Sequence, residues 1–341
     1  MSSRRTPSAR RSAAVPDAHV RTGLIQITVT GVLWGTTGIV VHLVHHGTGL
    51  NPVAIGFHRL AIAALVLSAF AATRLRPMLA ALRAAPLPLL FTGVGLGLYQ
   101  ALYFAAVALA GVGVATVVSL GLAPVLTAAW ESVRARRVPG PLRLGTLLAA
   151  VAGLVLITGA AAQPTAAAPR PLLGLLAAAG SGLGYAATTM VSRHVSQHTA
   201  PMTLTTISTT VGALALAPPA LAVGLTVPAR PEVVAQLLYL GVVTTALAYA
   251  LFYAGLRTTE GSVAAVLTLV EPLTAAALAV ALLDEPLPAP VIIGGVLLLA
   301  AVAATYLAPE RPSAPPPSPV APPGRLAAVG REAGEGPGAA T

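Results

Sequence analysis

Within an apolar run from about Gly261 to Leu283 stands Thr268-Leu269-Val270-Glu271-Pro272-Leu273-Thr274, which sets a carboxylate beside a proline. A run of roughly 20 apolar residues is long enough to span a bilayer core. An ionised carboxylate at that depth costs about 3 kcal/mol or more, so Glu271 is a functional candidate that can exchange a proton or hold a substrate amine. The plainer alternative is a structural carboxylate that satisfies helix donors beside the proline. Pro272 has no amide hydrogen and frees a carbonyl in the preceding turn. Val117-Val118-Ser119-Leu120-Gly121-Leu122-Ala123-Pro124 repeats the shape, with Ala123 where Glu271 stands. The pairing predicts a doubled chain that keeps its carboxylate in one half, with Pro124 and Pro272 as two helix-break positions.

Other polar residues interrupt the apolar runs. Arg59, next to His58 near the start of the second run, could bind a substrate carboxylate or pair with Glu271; snorkelling to the interface is the alternative. Tyr99 and Tyr103 lie one helical turn apart and share a face. With Trp34 and Gln100 they could line a cavity that stacks on rings or amines, although aromatics at span ends also serve as interfacial anchors. Tyr185, Tyr249 and Tyr253 read the same way. His42, His45 and His46 crowd the outer end of the first run. His42 and His46 have a chelating spacing but no carboxylate companion, so a solvated helix end is expected and no metal site. Gly31 with Gly35, Gly93 with Gly97, and Gly180 with Gly184 are small-xxx-small pairs that let helices approach closely. No strand precedes the glycine string at 93–97, which argues against nucleotide binding. The Thr/Ser run at 205–210 could satisfy its hydroxyls between helices or line a polar path.

These residues need a membrane to give them meaning, and composition supplies one. The chain has 341 residues, 56% hydrophobic and 9% charged, against about 25% charged in soluble domains. The formal charge of +10 comes wholly from arginine. The arginines sit mostly in loops and tails, which fits the positive-inside rule better than nucleic-acid binding. With no cysteine there is no disulfide, Cys-ligated zinc or Cys nucleophile. HExxH and GxSxG are both missing, so an intramembrane enzyme is disfavoured and no cofactor is expected.

Hydropathy windows predict ten spans near 24–44, 53–73, 87–109, 113–133, 142–161, 172–193, 201–224, 233–256, 261–282 and 288–308. Residues 1–21 and 309–341 read as disordered cytoplasmic tails. Arg4-Arg5 and Arg10-Arg11 precede no cleavable apolar region, so the first span reads as a retained anchor. With the N-terminus inside, one face collects nearly all the loop arginines and the other keeps Arg170 and Arg230. The bias predicts an even number of spans with both termini cytoplasmic.

The punctuation repeats. Pro124 matches Pro272, Leu33-Trp34-Gly35 matches Gly184-Tyr185-Ala186, and Tyr103-Phe104 falls near Phe252-Tyr253. Arg136-Arg137 in one half face Asp284-Glu285 in the other. The expected fold is an all-α integral membrane protein of ten transmembrane helices in two inverted five-helix repeats, 22–162 and 171–308.

Trp34-Gly35 in the first span, Pro52 and Arg59 in the second, and Glu271-Pro272 with Asp284-Glu285 around the ninth carry a resemblance. In this order, across about residues 22–308, the chain resembles the EamA-type transporters of the drug/metabolite transporter superfamily. It departs from that family where Arg136-Arg137 replace an acidic residue common at the end of the fourth span's motif. Glu131 lies nearby, but the role is not carried across. The resemblance implies a ten-helix bundle with a central cavity that exports small metabolites or drugs. The expected partners are a small-molecule substrate and membrane lipid; a homodimer is left open. A non-transporting scaffold or receptor is the rival class.

Overall fold

The computed structural model describes residues 18–71, 75–161, 170–283 and 288–307. Asp284, Glu285 and the expected disordered tails lie outside these residues, except 18–21, which are helical rather than tail. Among the described residues there is no strand, and ten helices are long and apolar enough to cross a membrane.

Proline punctuates the helix starts. Its fixed φ suits the first helical position, where its missing N–H would have had no partner anyway. It opens α2 (Pro52–Ala71), α4 (Pro86–Ala110), α6 (Pro141–Ala161), α7 (Pro171–Ser196), α8 (Pro201–Val223) and α9 (Pro231–Gly241). The first span is α1 (Ala18–Thr48) and the fourth is α5 (Val112–Ala135). Gly111 turns α4 into α5 with φ 87°, a conformation side-chain-bearing residues rarely adopt. The short α3 (Leu75–Ala84) lies where the sequence predicted only a loop. It packs on α4 and α8, and its arginines and leucines segregate as on an interfacial helix.

Two spans are irregular. The eighth runs from α9 through a π-helical turn, Val242–Leu247, into α10 (Ala248–Gly255). The ninth is split into α11 (Gly261–Thr268) and α12 (Val270–Leu283); α13 (Ala289–Leu307) is the tenth.

The helix contacts obey an exchange rule between the halves. α1 packs on α11, α12 and α10 in the way α7 packs on α5 and α4, while α2 with α8, and α6 with α13, pair across the halves. The crossings match residue for residue. A Cβ on Gly31 would stand 3.2 Å from the Leu267 carbonyl and 3.3 Å from Val270 Cβ. A Cβ on Gly182 would stand 2.8 Å from the Ser119 carbonyl and 3.0 Å from Leu122 Cβ. The match of Pro124 with Pro272 carries Ser119 to Leu267 and Leu122 to Val270. The ten spans therefore form two five-helix repeats, and because five is odd the second repeat runs inverted relative to the first. The other glycine pairs also sit at close crossings: Gly93 and Gly97 against α8, Gly180 and Gly184 against Leu102 and Tyr99 of α4.

Candidate functional site

The site begins at the split in the ninth span. Pro272 cannot donate to the Thr268 carbonyl, the partner its position would have served. The Leu269 amide instead turns back to the Val266 carbonyl at 3.1 Å. The Thr268 hydroxyl donates to the Ala265 carbonyl at 2.9 Å and lies 3.2 Å from the Tyr185 hydroxyl, which must supply the proton of that second bond. α12 starts afresh at Val270, so Glu271 stands in its first turn, at the positive end of the new helix. On its other side α1 comes close: a Cβ on Gly35 would lie 2.6 Å from the Glu271 carbonyl.

Pro124 does not do the same. α5 runs unbroken through it, which corrects the expectation of a second helix break. One lost hydrogen bond is tolerated because the flanking turns stay intact. The Thr127 hydroxyl adds support by donating to the Ala123 and Pro124 carbonyls at 2.8 and 3.1 Å.

Around Glu271 the structure gathers most of the residues singled out by the sequence. Arg59, Tyr103, Tyr185 and Tyr249 all lie within electrostatic reach of its carboxylate. The Arg59 guanidinium sits beside the Tyr249 hydroxyl, and its Nε is buried without a partner. Tyr249 and Tyr99 share a hydrogen bond of 2.7 Å between hydroxyls, and the Tyr99 and Tyr185 rings stack edge-on at 5.4 Å. Trp34 packs on Tyr249 at 5.0 Å and leaves its buried indole Nε1 unpartnered. The Tyr103 hydroxyl meets Thr116 Oγ1 at 3.0 Å. Glu271, Arg59, Tyr99 and Tyr103 are half-buried rather than sealed, although they project from mid-bundle helices. Among the described residues Arg59 and Glu271 form no ion pair with each other. Glu271 and Arg59 thus lie within electrostatic reach of each other among the same aromatic side chains, without a direct ion pair.

Gln100 lies on the same helix as Tyr99 and Tyr103. It is buried, and its Nε2 donates back to the Leu96 carbonyl at 3.3 Å while Oε1 has no partner. Standing three residues before Tyr103, it adjoins that tyrosine on the helix surface. His42 and His46 stack at 4.2 Å on the exposed end of α1, and His45 Nδ1 bonds the Leu50 carbonyl at 2.9 Å. Among the described residues no group of three or more metal-binding side chains forms. Two surface pockets lie elsewhere, an apolar one between α12 and α13 around Gly295 and one between α3 and the α7–α8 turn; neither reaches Glu271.

Two features escaped the sequence reading. The π-turn widens the eighth span just before Tyr249 and re-aims the residues after it. Its cost is met locally, since Thr244 and Thr245 both donate their hydroxyls to the Leu240 carbonyl, at 2.9 and 2.8 Å. The paired threonines were the available signal. The second is an ion pair of Arg143 with Glu131, at the end of the bundle that carries Arg134, Arg136 and Arg137. Its signal was an arginine two residues after the proline that opens the fifth span.

A multi-span bundle of two repeats, with a discontinuous helix whose new N-terminus meets a polar cluster, is the architecture of a secondary transporter. The family comparison is specific. The model of the EamA-like transporter family matches residues 21–159 and 172–307, and the chain belongs to that family. It is 29% identical over 256 residues to the uncharacterized transporter YwfM of Bacillus subtilis (strain 168), covering 74% of this chain and 82% of that protein. It is 25% identical over 287 residues to the uncharacterized inner membrane transporter YicL of Salmonella typhimurium, covering 83% of this chain and 94% of the relative. A solved crystal structure superposes with a TM-score of 0.71 at 22% identity, over 84% of this chain and 97% of the other. That likeness shows the fold.

Proposed function

We propose that this transporter exports a small organic solute, amino-acid-like or amine-bearing, across the cytoplasmic membrane by alternating access. The observation that carries the reading is the cluster of Glu271 and Arg59 among Trp34, Tyr99, Tyr185 and Tyr249, where the two ionisable groups lie within electrostatic reach but form no ion pair. Glu271 takes the substrate ammonium group or a proton, and Arg59 takes a carboxylate. Trp34, Tyr99 and Tyr103 supply the aromatic walls, and Gln100, whose buried Oε1 has no partner, adds a polar group beside Tyr103. The repeats 22–162 and 171–308 are the units that rock about this cluster, with both termini cytoplasmic as the arginine bias favours. No ATP-binding loop occurs in the sequence, so the energy comes from a gradient, with proton exchange through Glu271 as the route. Export rather than import follows the family resemblance. Transport rather than catalysis is the family's character, and the reading requires no cofactor and no nucleic acid.

The test uses purified protein in liposomes holding a trapped pH dye. Amino acids, polyamines and cationic drugs are added outside. A pH change that depends on one solute class, and disappears in protein-free liposomes, is expected. If no solute class moves protons or exchanges with its labelled form, the chain is a scaffold or receptor instead.

A further inference from the structure

We infer that Arg143, Glu131, Glu260 and Ser262 form an ionic latch that holds the arginine-rich face closed in the state seen here. The inference rests on the alternating-access reading.

The parts come from both repeats. Glu131 lies in the last turns of α5 and Arg143 in the first turn of α6, both in the first repeat; Glu260 and Ser262 lie at the start of α11, in the second. Arg143 forks across the gap. One terminal nitrogen donates to both Glu131 and the Ser262 hydroxyl, and the other lies 3.3 Å from the Glu260 carboxylate. The Ser262 amide closes the ring by donating to Glu131 Oε1 at 3.2 Å. The Arg143 and Glu131 side chains are only 18% and 20% exposed, so their attraction is less screened than that of a surface pair. The fork of donors on arginine suits two carboxylates at once.

The asymmetry of the bundle gives the latch its meaning. The exchange rule pairs the contact between the C-terminal half of α5 and α11 with one between the N-terminal half of α5 and α12. The first is made along the latch. Among the described residues the second is glancing at most, and Val112 and Val114 at that end of α5 are exposed. A two-fold molecule that is joined at one end and parted at the other is caught in one of two alternating states. The first repeat has Glu131 and Arg143 where the second, shifted by the Pro124–Pro272 match, has Ala279 and Val291, so this ion pair has no counterpart in the second repeat.

The chain has no native cysteine, which allows clean single-cysteine reporters. Ala128→Cys sits three residues before Glu131, in the buried apolar cluster that also holds Val266 and Leu269. Thr116→Cys sits half-buried beside Tyr103, toward the parted end. Labelling rates with a membrane-impermeant thiol reagent are measured without solute, from the arginine-rich face for the first reporter and the opposite face for the second. Arg143→Gln should speed labelling at Ala128→Cys about tenfold and slow it at Thr116→Cys several-fold, a shift in population worth ~1.4 kcal/mol. Glu260→Gln should move both reporters the same way by less, and Arg143→Lys should fall between. Acceleration at both reporters would mean general loosening, and no change at either would mean no gate; both outcomes overturn the latch. Flux in the liposome assay reads the transport proposal separately. Reporters that respond in a chain moving no solute refute transport alone, and unresponsive reporters in a chain that transports refute the latch alone.

Discussion

The stretches around Pro124 and Pro272 occupy equivalent places in the two repeats, and they have taken different courses. Both lose one backbone donor to proline. In α5 the turns on either side hold, Ala123 is buried at 1% exposure, and the helix runs on. In the ninth span the Thr268 hydroxyl turns back to Ala265 and accepts from Tyr185, Leu269 makes a tight turn, and the helix restarts at Val270. The difference shows that a proline permits a break without imposing one. What decides is whether polar partners stand ready for the freed groups, and Leu120, the counterpart of Thr268, has no hydroxyl to offer. The broken copy gains a helix N-terminus aimed at Glu271; the unbroken copy serves as a packing wall for α7 and α11.

The largest expected effect lies at Glu271. Glu271→Gln keeps the shape and removes the ionisable group, and solute-driven proton flux in liposomes should fall about a hundredfold or more, as for loss of a charged binding partner worth ~3 kcal/mol. The mirror change, Ala123→Glu, should give no second coupling site. It places an unpartnered carboxylate in a closed helix, and the melting temperature in detergent should drop clearly. Arg59→Gln comes next, with half-saturation for a carboxylate-bearing solute rising about tenfold while that for a simple amine moves little. Thr268→Val removes the hydroxyl that receives Tyr185, and affinity should weaken about fivefold, in keeping with one neutral hydrogen bond of ~1 kcal/mol. The smallest effects are in stability. Gly35→Ala drives a Cβ to 2.6 Å from the Glu271 carbonyl and should cost about 1–3 kcal/mol in thermal unfolding. Gly121→Ala in the unbroken copy meets Leu154 at a tolerable 3.4 Å and should be neutral or stabilise by up to ~1 kcal/mol through helix propensity.

Hydropathy and proline spacing made the ten spans and the two repeats readable in advance, because apolar length and helix-start chemistry are local properties. Glu271, Tyr99, Tyr103, Trp34 and Arg59 were legible for a related reason: a polar or aromatic side chain is costly or conspicuous inside an apolar run. Their meeting was not legible, since it depends on how α1, α2, α4 and α10 cross. The differing fates of Pro124 and Pro272 were only partly legible: Leu120 against Thr268 is a local difference, but the Tyr185 hydroxyl that meets Thr268 comes from another helix. The π-turn had a local signal, the paired threonines Thr244 and Thr245 whose hydroxyls satisfy the Leu240 carbonyl. Arg143 was counted as one more loop charge, and only the fold brings it to Glu131 and Glu260.

The central claim is that the break at Pro272, and not the proline as such, makes the second repeat functional. Its most direct measurement is solute flux per reconstituted protein for Pro272→Ala beside Pro124→Ala, in the same liposomes. Restoring the Thr268 carbonyl's partner should straighten the ninth span and cut flux at least tenfold, while Pro124→Ala stays within twofold of the unsubstituted protein. Equal losses in the two variants, or a larger loss at Pro124, would contradict the account.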